Sequence, residues 1–71
     1  DHYIVCGFGR VGRGAAEELR RAGVPFLVMD SNPERVERAQ RAGMLAIHAD
    51  ATRDESLREV GIERARGLVA T

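Results

Sequence analysis

The chain has no lysine: all 11 of its basic residues are arginine. That excludes a lysine nucleophile and a P-loop lysine, and the arginine bias itself looks like codon usage or a heat-tolerant source. There is one cysteine, so no internal disulfide can form, which points to a reducing, intracellular setting. There is no excess of either charge, 11 acidic residues balancing the arginines to a net +0, so the electrostatic footprint of a DNA- or RNA-binding domain is missing. No apolar run approaches the ~20 residues needed to cross a bilayer, and the first residues do not read as a secretory signal. Length is short as well. Seventy-one residues make one small domain, which alone buries only about 60–65% of its unfolded surface and has a marginal core.

What is present alternates short apolar runs with longer amphipathic ones. Tyr3-Ile4-Val5-Cys6 is β-rich and ends at glycine. From Arg10 to Ala22, the residues Val11, Ala15, Leu19 and Ala22 recur at helical spacing, and Gly23 follows as a helix-ending residue. Phe26-Leu27-Val28-Met29 is a continuous apolar strand. Asn32-Pro33-Glu34 reads as an N-cap, a proline at N1 and a first-turn acid, opening a helix with Val36 and Ala39 inward that closes at Gly43. Leu45-Ala46-Ile47 is a third strand. Thr52-Arg53-Asp54-Glu55 fits a capping box for a third helix, with Leu57 and Val60 facing the core and Gly61 ending it. Gly67 to Thr71 reads as a fourth strand. The order β-α-β-α-β-α-β predicts an α/β fold with a parallel, Rossmann-like sheet, covered on both faces and joined by right-handed crossovers. Glu17–Arg21, Glu34–Arg38 and Glu37–Arg41 have the spacing of solvent-face ion pairs.

Gly7-Phe8-Gly9-Arg10-Val11-Gly12 is a G-x-G-x-x-G that directly follows a predicted strand and opens a predicted helix, the context that the motif requires. Gly7 turns the chain out of the strand, Gly9 leaves room for a diphosphate to approach the backbone, and Gly12 lets the helix pack closely on the sheet. Free N–H groups at the helix start then face the phosphates. The alternative is a tight turn that binds nothing. Asp30, 18 residues beyond Gly12 at the end of the second strand, is placed to accept from both ribose hydroxyls of an adenosine and to repel a 2′-phosphate, which favours NAD or ADP/ATP over NADP. Its alternative is a turn aspartate capping Ser31-Asn32. Arg10 could fold over a phosphate or be solvated. Asp50, after the third strand, could accept from an adenine amino group or help start the third helix. Cys6 reads as a small buried hydrophobe, and His48 has no neighbouring histidine or cysteine with which to share a metal. No Ser-His-Asp set, paired catalytic carboxylates or C-x-x-C occurs, so the chain offers a binding site without a catalytic apparatus.

Val5 to Gly12, Asp30-Ser31-Asn32-Pro33-Glu34-Arg35-Val36, Ala49-Asp50-Ala51-Thr52 and Gly61-Ile62-Glu63-Arg64-Ala65 together resemble the RCK/KTN family, also called the TrkA N-terminal domain. The resemblance covers nearly the whole chain, with Ala49 where many relatives carry glycine. It implies a cytoplasmic, non-enzymatic regulatory domain that binds NAD(H) or an adenine nucleotide, self-associates as dimers or rings, and gates a membrane-embedded potassium channel or transporter. It further implies Gly7, Phe8, Gly9, Arg10 and Val11 around the phosphates, Asp30 on the ribose with Ser31 near it, Asp50 and Ala51 at the adenine, and Thr71 toward the distal end of the nucleotide. Family members continue through two more strands and helices, so residues 1–71 are expected to be the N-terminal portion of a longer domain. Its sheet order 3-2-1-4 would leave the fourth strand as an edge. The competing readings are the cofactor-binding half of an NAD-dependent dehydrogenase and a Rossmann-like interaction module with an empty pocket.

Overall fold

The apolar run at the start of the chain forms β1 (His2–Cys6), the centre of the sheet in a computed structural model. The structure describes residues 2–50, 52–59, 61 and 64–70, and the side chains of all of these except 54, 56, 57 and 70. The expected core position Val60 and the expected ligand positions Ala51 and Thr71 lie outside the described residues, as does the side chain of the expected core position Leu57. After β1 come α1 (Arg10–Arg21), β2 (Phe26–Asp30), α2 (Pro33–Arg41), β3 (Ala46–His48), α3 (Asp54–Glu59) and β4 (Ala65–Ala70). Every pairing is parallel, in the order β3-β2-β1-β4, as the alternation of strands and helices requires.

Side-chain alternation along the strands divides the interior into two layers. Val5 and Val28, paired in register, join Phe8 with Ala16 of α1 and with Val36 and Ala39 of α2. Ile4, Cys6, Leu27 and Met29 form the second cluster, with Ile47, Ala49 and Ala65 packed against it. Ile4, Val5, Val28 and Met29 are fully buried, so the continuous apolar runs are those of a sheet covered on both faces.

The helices α1 and α2 end as their sequences indicate, with Arg20 and Arg21, then Arg38 and Arg41, in their last turns. The Arg20 guanidinium donates to the carbonyl of Ala42 at the C-cap of α2. This cation ties the two helix ends together where the dipole of α2 is negative. Of the surface ion pairs, Glu37–Arg41 forms, but Arg21 takes Glu18 at 2.9 Å rather than Glu17. A pair between Glu34 and Arg38 is absent among the described residues. Each such exposed pair contributes at most a few tenths of a kcal/mol.

Two expected boundaries are corrected. The third helix starts at Asp54, so Thr52 does not form the capping box; its hydroxyl and N–H both donate to Asp50 Oδ1, at 2.6 and 2.9 Å. The fourth strand starts at Ala65, two residues before Gly67. Pairing with β1 steps from His2↔Ala65 to Tyr3↔Gly67, leaving Arg66 as the extra residue of a bulge. The Arg66 guanidinium lies over the Tyr3 ring, 5.8 Å from its centroid.

Gly67 is therefore a packing glycine inside a strand. A Cβ there would stand 2.6 Å from Cε2 and 2.9 Å from Cδ2 of Tyr3. Gly67→Ala is expected to destabilise the fold by about 1–3 kcal/mol. In a denaturant double-mutant cycle it should couple to Tyr3→Ala, the pair costing less than the sum of the singles; strict additivity would place the cost elsewhere.

Candidate functional site

The C-terminal ends of β1, β2 and β3 open onto one cleft of about 630 Å³, beside the point where strand order reverses around β1. Ligands of open parallel sheets bind at such a switch point, and the volume is in the usual range for a small-molecule site. Cys6 and Met29, the last inward residues of β1 and β2, line it from below the strand ends. Burial pushes the Cys6 thiol above its ordinary pKa, so it behaves as a small apolar group.

The glycine turn forms one wall. Gly7 continues the sheet ladder, its N–H donating to the Met29 carbonyl at 2.8 Å. At φ 101° it then turns the chain away, a conformation that side-chain-bearing residues seldom adopt. Gly9 is the N-cap of α1 and supplies no side-chain cap, and the first intrahelical bond is Arg13 N–H to the Gly9 carbonyl at 2.9 Å. The amides of Arg10, Val11 and Gly12 are thus left without helical partners at the positive end of the dipole. The start of α2 is different: Asn32 accepts from the Glu34 N–H at 2.9 Å, with Pro33 at N1 and Glu34 in the first turn. One helix closes its own N-terminus; the other leaves it facing the cleft. Arg10 is exposed on the wall, and Val11 is 68% exposed.

Asp30 forms the opposite wall. It is only 7% exposed. Oδ2 accepts from the Phe8 N–H at 2.7 Å and Oδ1 from the Asn32 N–H at 2.8 Å. The carboxylate thus holds the glycine turn and the start of α2 together, and each oxygen retains further acceptor capacity toward the cleft. Phe8 takes part through its backbone only. Its ring is 2% exposed and packs in the core with Val28 and Ala16, so it stands apart from the cleft-lining members of the motif. Gly12 is likewise buried within α1.

Ser31 lines the cleft, and its carbonyl accepts from His48 Nε2 at 2.8 Å. Asp50 lines it from the β3 side. The hydroxyl of Thr52, and then its N–H, hold the Asp50 carboxyl below the ordinary carboxylate range. Of the residues singled out in the sequence, Gly7, Gly9, Arg10, Val11, Asp30, Ser31 and Asp50 come together at this cleft. Arg35 was not singled out. Its guanidinium reaches back from α2 to 3.7 Å from Asp30 Oδ2 and lines the cleft. The signal was a basic residue one turn into a helix that begins beside the acid. Among the described residues no cluster of three or more His, Cys, Asp or Glu could hold a metal ion, and no helix is long and apolar enough to cross a membrane. Unpaired amides, a buried carboxylate and two arginines around an apolar floor suit a ligand that is anionic at one end and carries hydroxyls at the other.

The chain matches the family model of the TrkA-N domain over residues 3–71. It is 39% identical over 72 residues to potassium channel protein 1 of Methanocaldococcus jannaschii, covering 99% of this chain and 22% of that protein. It is 36% identical over 66 residues to the glutathione-regulated potassium-efflux system protein KefC of Cronobacter sakazakii, covering 93% of this chain and 11% of that protein. The chain therefore spans less than a quarter of the length of these relatives. Its backbone superposes on the TrkA-N domain of the inner membrane protein ybaL from Escherichia coli with a TM-score of 0.89 at 28% identity, covering 97% of this chain and 51% of that one.

Two outcomes are expected of the unliganded protein. Asp30→Ala orphans the Phe8 and Asn32 amides and should lower stability by about 1–3 kcal/mol in denaturant melts; an unchanged midpoint would show that the carboxylate does not support the turn. In NMR titration, Asp50 should ionise below the usual carboxylate range. Its turn is then intact above that range and loosens as pH falls through Asp50's own lowered value. Thr52→Ala should return the value toward normal and Thr52→Ser should not.

Proposed function

The chain belongs to the TrkA-N domain family, and from that premise we propose that it is the nucleotide-sensing regulatory domain of a potassium channel or transporter. Its ligand on this reading is NAD(H), with ADP or ATP as the related alternative. The observation that carries the reading is the uncapped start of α1 set opposite the buried Asp30 carboxylate across a single cleft. A helix N-terminus without a cap attracts phosphate. A carboxylate one ribose away accepts hydroxyls and repels a 2′-phosphate.

In this proposal Gly7 and Gly9 keep the wall thin, and the amides of Arg10, Val11 and Gly12 meet the diphosphate, with the Phe8 amide holding Asp30 in place. Asp30 and Ser31 take the ribose. Asp50 and Ala51 lie at the adenine, and Thr71 lies toward the distal end of the ligand. The domain works by binding, not by chemistry. It acts at the cytoplasmic face of the membrane, paired with further copies of itself and with a pore. The names of the relatives, a potassium channel protein and a potassium-efflux system protein, support that setting. Nucleotide biases the pore to the extent that it binds one arrangement of the assembled domains better than another.

Gly9→Ala gives a clean test. Gly9 has an ordinary negative φ of −84°, and a Cβ on it would meet nothing nearer than the Arg35 guanidinium at 3.8 Å. The substitution should cost at most about 1 kcal/mol of stability, since alanine is a poorer N-cap than glycine, yet place a methyl in the path of the phosphates, weakening NAD and ADP by about tenfold or more in titration calorimetry of the folded protein. NADP should bind the wild type more weakly than NAD. A wild type that binds none of NAD, NADH, ADP or ATP at millimolar concentrations would remove the proposal.

A further inference from the structure

Arg35 belongs to the first turns of α2, yet its guanidinium lies back across the cleft. One nitrogen is 3.7 Å from Asp30 Oδ2 and 3.8 Å from the point where a Cβ on Gly9 would be. It therefore occupies the gap between the glycine turn, where the backbone is bare, and the carboxylate. The contact with Asp30 is beyond hydrogen-bond length. The Arg35 side chain is 47% exposed, so the pairing is loose and screened by solvent. The Asp30 carboxylate does not depend on it, since both oxygens already hold backbone amides. Arg35 is thus a half-exposed cation, not hydrogen-bonded to Asp30, beside a fixed anion at the mouth of an anion-seeking turn.

We infer that Arg35 is a phosphate-triggered clamp: the 5′-phosphates of a bound nucleotide draw its guanidinium off Asp30 and over themselves, and the carboxylate it leaves is freed for the ribose hydroxyls. This rests on the nucleotide-binding reading above. An arginine fork binds phosphate oxygens bidentately and more strongly than it holds a distant, solvent-screened carboxylate. Phosphate and ribose binding are then coupled through one side chain. Adenosine, which has no phosphate, must compete with Arg35 for Asp30, whereas ADP removes the competitor itself.

The test is the ratio of adenosine to ADP affinity, measured by amide-shift titration of the intact protein, which reads millimolar constants. Arg35→Ala should weaken ADP by about tenfold and leave adenosine equal or tighter, so the preference for ADP shrinks by at least that factor. Arg35→Lys, which keeps the charge without the fork, should recover part of it. A folding defect would weaken both ligands together and leave the ratio intact, and an unchanged ratio overturns the inference. So does a loss confined to 2′-AMP with 5′-AMP unaffected, since Arg35 would then read the 2′ position. If the wild type binds neither adenosine nor ADP, the nucleotide-binding reading fails first.

Discussion

The site depends on one buried carboxylate. Asp30 is almost out of solvent, where an anion is stable only if its lone pairs are met. One on each oxygen is met by a backbone amide, from two directions: Phe8, just past β1, and Asn32, just before α2. That pair of bonds fixes the glycine turn against the end of β2. Because Phe8 is pinned by its N–H, its ring can be driven into the core beside Val28, and the next residue, Gly9, is presented at the start of α1. The acid that faces the cleft is thus also the joint that shapes it, and any substitution at Asp30 mixes folding with binding.

The two helix starts show where stability has been given up. Asn32, Pro33 and Glu34 satisfy and electrostatically complement the first turn of α2. The first turn of α1 has none of this: no capping side chain and no acid. It carries a cation, Arg10, at the wrong end of the dipole. A side-chain cap is worth about 1 kcal/mol, a real fraction of what a domain of this size can hold in reserve. Forgoing it in α1 while keeping it in α2 keeps those amides available to something outside the chain.

Most of the architecture was legible in the sequence because its signals are local. Apolar runs of strand length, helices with an inward stripe and a glycine after each gave β1 through α2 to within a residue or two. The misread places are those where a local signal was overruled by a neighbour. Thr52 and Glu55 have capping-box spacing, but Asp50 is nearer to Thr52 and takes both its hydroxyl and its N–H; such local side-chain bonds compete directly with helix starts. Gly67 read as punctuation before a strand, whereas it lies inside one, opposite an aromatic ring. That role exists only once the register between β1 and β4 is known. At the cleft, G-x-G-x-x-G and Asp30 could be read from spacing. Phe8, inside the same motif, could not be separated from its neighbours, because only the fold shows that its ring turns away. Arg35 was missed because its two neighbours, Gly9 and Asp30, are 26 and 5 residues away and are brought together by the sheet.

These contacts bear on how occupancy of the cleft could be felt elsewhere. The backbone parts of the site are preorganised: Gly7 is in the ladder, Asp30 is tied on both sides, and the amides of α1 are already aimed. Rigid parts contribute affinity at little ordering cost, but they look the same with or without a ligand and so report nothing. A signal needs a group whose place differs between the two states. Arg35 meets that condition. It is half exposed, lightly held and mounted on α2, whose far end is tied to α1 through Arg20 and Ala42. On the proposed reading, an anion entering at Gly9 moves the Arg35 charge away from the Asp30 wall and toward the glycine turn. The surface around the mouth then changes while the sheet beneath it stays still.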